Sequence, residues 1–194
     1  TMRSPKIIPI PYSLSGSAGA PSGFLHIDGI ISSYGTSQQG AAIYDLSRFA
    51  VAAQYVDDVD TGLWRNSIID LLGEIDIDDD SPVMALGAAT WACHMTGGLD
   101  DTVITGSSPY FNGKTLAELP DMLAGLQAPD GSFAWSLDGS YPGYTEPTVM
   151  ATVALDAVGG YETNVENAIN ALAGGVDAAG ACYFKIGDSS SGSG

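Results

Sequence analysis

From Ala41 onward the apolar residues recur at the spacing that puts them on one face of an α-helix. Six helices are predicted. The first, roughly Ala42 to Val56, carries Ile43, Leu46, Ala50, Ala53 and Val56 inward. The second starts near Leu63 and has a stripe of Leu63, Trp64, Ser67, Ile68, Leu71 and Leu72. The third opens with Ser81 as N-cap and Pro82 at the first helical position, where a missing N–H costs nothing, and stops at Gly97-Gly98. In the fourth, within Thr115 to Gln127, Thr115 and Glu118 have capping-box spacing. Pro120 removes a backbone bond there and moves the expected start toward Leu119. The fifth spans Thr145 to Val158, places Val149, Met150, Val153, Ala154, Ala157 and Val158 on one face, and ends at Gly159-Gly160. The sixth begins with a capping box of Thr163 and Glu166, buries Val165, Ala168, Ile169 and Leu172, and stops at Gly174-Gly175.

These helices repeat in pairs. "SPVMALGAATWACHMTGG" and "EPTVMATVALDAVGG" share a first-turn proline, Val-Met, small residues and a Gly-Gly stop. Each is followed by a helix ending in Leu and a Gly/Asp loop with an aromatic. Small side chains permit close approach of backbones, so the Ala-rich helices belong to an inner layer and the Leu/Ile-striped ones to an outer layer. The expected fold class is all-α, an array of three helical hairpins over residues 41–186. Residues 1–40 are rich in Gly, Ser and Pro and read as irregular or short-stranded. Their apolar residues, among them Ile7, Ile8, Phe24 and Ile30, suit a segment that packs on the helices. Residues 187–194 read as a flexible linker.

The run "LQAPDGSFAW", Leu126 to Trp135, resembles the Q-x-x-D-G-x-(W/F) element that closes outer helices in α/α toroids. That superfamily includes terpenoid cyclases, protein prenyltransferase β subunits and complement-type thioester domains. The resemblance implies that Gln127 caps a helix end and that Phe133 packs on the next hairpin. Toroids of this kind close with about six hairpins, so the resemblance implies a partial ring, one that self-associates or continues in a larger chain. It specifies a fold and no activity, since one fold serves many functions.

Charge narrows the partners. Six Lys+Arg stand against 23 Asp+Glu, a formal charge of −17, which repels phosphate backbones and anionic lipid. Nucleic acid is therefore not an expected partner, and no apolar run approaches the ~20 residues of a membrane span. An unknown ligand or protein remains. Cys93 and Cys182 stand apart from each other and from any histidine cluster, which disfavours zinc and leaves either one disulfide or two thiols. No signal-peptide pattern is legible in "TMRSPKIIPIPYS". The acidic composition suits a soluble exported protein, at the cell surface, in the periplasm or outside the cell.

Candidate chemistry centres on "DIDDDSPVMAL". It resembles the D-x-D-D-T-A motif of class II terpene cyclases, with Asp76, Asp78 and Asp79 in the acid positions and Asp80 where the motif has threonine. The resemblance implies Asp78 as a carboxyl kept protonated by its acidic neighbours. A second reading takes Asp76, Asp78 and Asp80 as a weak Ca²⁺ site, since alternating aspartates are calcium-loop spacing. A third makes them the solvated start of a helix, where acids favour the dipole. Trp91, Trp135, Tyr141 and Tyr144 are candidates to line a ligand surface. His94 on the third helix has no acid or nucleophile placed beside it by spacing. The favoured expectation is a binding or structural module with no cofactor of its own. The alternative is an enzyme or enzyme fragment, either cyclase-like through Asp78 or polysaccharide-active.

Overall fold

A computed structural model describes residues 38–55, 60–76, 81–139, 143–176 and Ile186. Within them lie six α-helices: α1 (Gln39–Ala53), α2 (Thr61–Glu74), α3 (Pro82–Gly97), α4 (Leu119–Ala124), α5 (Thr145–Val158) and α6 (Glu162–Gly174). The class is all-α. Residues 1–37, most of the predicted N-terminal segment, and the linker 187–194 lie outside the described residues.

Local chemistry sets most of the starts and stops. Asp60 caps α2 by accepting the Gly62 N–H at 2.9 Å, a cap not anticipated from the helical stripe. Pro82 opens α3, and α3 and α5 both run out into a glycine of positive φ, Gly98 and Gly159. Glu118 reaches back to the Thr115 N–H at 2.8 Å, so the capping box forms on a short 3₁₀ turn, Leu116–Glu118. The α-helix proper then starts at Leu119, with Pro120 in its first turn.

Three expectations are corrected. The box at Thr163 and Glu166 does not form, because α6 starts earlier, at Glu162, with Tyr161 in the N-cap position. The inward face of α5 is Pro147, Thr148, Met150, Ala151, Ala154 and Leu155. Val149 and Val153, expected inside, are 44% and 40% exposed, and Ile169 of α6 is 52% exposed. Apolar residues run nearly all round α5, so neighbours rather than pattern decide which side is covered.

The contacts alternate between layers. α3 packs most extensively against α1 and α5, α2 sits against α1 and α3, α4 against α3 and α5, and α6 against α5. Small residues make α3 the shared wall: Ala85, Gly87, Ala88, Ala89 and Ala92 are all buried. A Cβ on Gly87 would lie 3.2 Å from Met150 Cγ and 3.4 Å from the Ala151 nitrogen, so α5 crosses α3 in close contact there. Leu86, Ile104, Phe111, Leu116 and Phe133 fill the space around it with no exposure. Each such side chain contributes about 1.5–3 kcal/mol relative to standing in water. The long α3–α4 connection is also built into this core. Ile104 N–H donates to Lys114 O at 2.7 Å, and Ser108 N–H donates to Gly73 O at 2.7 Å, fastening the loop to the end of α2.

Candidate functional site

The segment after α4 is where the structure concentrates its polar contacts. Gln127 Nε2 donates to Gly131 O at 3.0 Å and to Asn164 O at 2.8 Å, across to the first turn of α6. Asn164 Nδ2 returns the bond to Gln127 Oε1 at 2.9 Å and reaches the Ala124 carbonyl at 3.4 Å. The carbonyl at the end of α4 is thus met by Asn164, and Gln127 joins two hairpins instead of capping its own helix. Asp130 holds the turn by accepting from Ser132 N–H at 3.0 Å and Ser132 Oγ at 2.6 Å. Gly131 has φ +88°, and a Cβ there would fall 2.3 Å from Asn167 O, so only glycine lets the turn meet α6.

The chain then runs across the starts of α3 and α5. Phe133 N–H donates to Thr148 Oγ1 at 2.9 Å, while that hydroxyl donates to Tyr144 O at 2.6 Å. Tyr144 N–H donates to Phe133 O at 3.0 Å, and Val83 N–H donates to Trp135 O at 3.2 Å. Ser81 stands at the α3 N-cap, but its hydroxyl does not cap the helix, and Trp135 meets one of the open donors instead.

Of the aromatics singled out in the sequence, Trp135 and Tyr144 come together, ring centres 6.0 Å apart and tilted by 52°. They stand at the N-terminal ends of α3 and α5. Trp91 is half-buried well along α3, ~14 Å up the helix from Pro82 at 1.5 Å per residue, and does not belong to that pair. Tyr141, Asp78, Asp79 and Asp80 lie outside the described residues, as does Cys182. Asp76 is exposed just after α2. Among the described residues, which do not include Asp78 or Asp80, no three of His, Cys, Asp and Glu group to hold a metal. Nor is any helix among them long and apolar enough to cross a membrane.

Among the described residues two ionisable groups are strongly shifted. Burial pushes the free Cys93 thiol up to about 12, with the Arg65 guanidinium only partly offsetting it, so the sulfur stays a neutral packing group. Partial burial, and then the Asp121 carboxylate that accepts its hydrogen bond at 2.6 Å, push Tyr161 up to about 12. This pair also fastens α6 to α4. Sequence reasoning missed Thr148, Asn164 and the Tyr161–Asp121 pair, whose partners lie on other elements. Compared with protein-family models, curated proteins and solved structures, the chain matches none.

Proposed function

We propose that the chain is a three-hairpin section of an α/α-toroid-like array, acting as a binding or architectural module of exported type. The observation that supports this reading is the Gln127–Asn164 exchange, which uses the glutamine of the Q-x-x-D-G-x-F run to join hairpins, while Asp130 holds the turn between them. The alternation of contacts, α1–α3–α5 on one side and α2, α4 and α6 on the other, is what such an array requires. In this reading the segment before α1 covers one end of the helices, and removing residues 1–37 lowers thermal stability or causes self-association. An unchanged, monomeric truncation would sink that part.

The aspartates before α3 act as a solvated helix start with at most weak Ca²⁺ affinity. Millimolar Ca²⁺ then stabilises the fold by under ~1 kcal/mol. The deciding experiment offers polyprenyl and oligosaccharide substrates to the purified protein beside its Asp78→Asn variant. The module reading expects no turnover by either and an unimpaired fold in the variant, since Asn also serves at helix starts. Turnover that disappears in the variant would replace the module with an acid-catalysing enzyme.

A further inference from the structure

The outer edge of the last hairpin carries an apolar seam framed by acids. On α5, Glu146, Val149, Val153 and Asp156 follow one another at steps of three and four residues and so lie on one stripe, all exposed. Between α5 and α6 opens a groove of about 250 Å³ whose apolar lining includes Leu155, Val165 and Ile169. Asp156, Glu162 and Glu166 line the same groove, and among the described residues no Lys or Arg does.

The arrangement specifies the shape of what fits. α3 has an inner-layer neighbour on each flank, α1 and α5, whereas α5 has α3 on one flank and the valine stripe on another. A further helix lying along α5 would repeat the packing already used twice. Charge specifies its composition. Four carboxylates border the seam, so the covering helix is favoured when its own apolar stripe is flanked by lysine or arginine. A second copy of this chain is a poor occupant. Each copy has a formal charge of −17. Its three cations among the described residues are already engaged, Arg48 with Asp45, Arg65 with Asp100 and Lys114 with Glu118.

We infer that the α5–α6 edge is a docking surface for a cationic amphipathic helix belonging to another protein. This rests on the module reading above and names its class of partner. The probe is a synthetic helix of about the length of α5, with leucine on one face and lysine on the flanks, titrated calorimetrically into the full chain. Saturable one-to-one binding is expected. It should weaken by about tenfold in Val153→Asn/Ile169→Asn, and by a similar factor for a peptide of the same composition whose leucines are scrambled off one face. Asp156→Asn/Glu166→Gln should weaken it chiefly at low salt. Equal binding of the scrambled peptide, or full binding by the Val153/Ile169 variant, would overturn the proposal. So would sedimentation showing that this edge pairs copies of the chain. Substrate turnover lost in Asp78→Asn would instead sink the module reading without involving this edge, so the two can fail separately.

Discussion

Helices α3 and α5, in "SPVMALGAATWACHMTGG" and "EPTVMATVALDAVGG", share a first-turn proline, Val-Met and a Gly-Gly stop, and their surroundings differ. Along α3 every residue from Pro82 to Thr90 is buried; along α5 an inward face of six residues is buried and the two valines opposite meet solvent. Both begin with proline in the first turn, and both end at a glycine of positive φ. Local signals therefore decide where such a helix starts and stops. The number of neighbours decides how much of it is core.

The sharpest way to break that comparison is to cut into the two helices at matched depth. Leu86→Ala in α3 removes a fully buried side chain and should cost about 2–5 kcal/mol in chemical denaturation. A loss below 1 kcal/mol would mean that α3 is not the shared wall. On the inward face of α5, Thr148→Val keeps the shape but strands the Phe133 N–H, a loss of about 1–3 kcal/mol. If that substitution were neutral, α5 would be loosely held on both sides and the comparison would lapse.

A pH experiment examines the Tyr161–Asp121 contact between α6 and α4. The Tyr161 phenol is raised from 10.0 to about 12 in the fold, so its neutral form is the one the fold favours. Its contribution is fully present below pH 10 and is lost as pH climbs through 10 toward 12. Tyrosinate absorbance should show a late-titrating component that shrinks by one tyrosine in Tyr161→Phe and moves earlier in Asp121→Asn. A late component undiminished in Tyr161→Phe would show the assignment to be wrong. The smallest effect is expected on the exposed side: Val149→Ser/Val153→Ser should move stability by no more than about 0.5 kcal/mol per site. A larger loss would mean that this stripe is covered within the chain itself.

How far the fold could be read from the sequence follows the same division. Pro82, Gly98 and the Thr115–Glu118 box act through backbone geometry within a turn, and the positions of α3 and of the start of α4 followed from them. The covered side of α5 did not, because valine, methionine, alanine and leucine surround it and periodicity cannot choose among them. The site was less legible still. Tyr161 and Asp121 lie 40 residues apart, as do Asn164 and Ala124, and such pairs leave no local pattern. The Q-x-x-D-G-x-F run reads as a helix cap at Gln127, and the partner that glutamine takes on α6 leaves no mark in the sequence. The aspartates at 78–80, to which the sequence assigned the most chemistry, remain proposals.

The Gln127–Asn164 joint has a consequence for the order of folding. Its partners are 37 residues apart, in a fold whose helices are otherwise made of local bonds. Closing that loop costs entropy that is recovered only once α5 and α6 are both in place, so the joint belongs after the rate-limiting step. Gln127→Ala should then leave the refolding rate nearly unchanged and speed unfolding, which stopped-flow kinetics would resolve as a φ-value near zero. A φ-value near one would place the joint in the nucleus. On the expected result, the glutamine governs how long the folded array lasts and has little influence on how fast it forms.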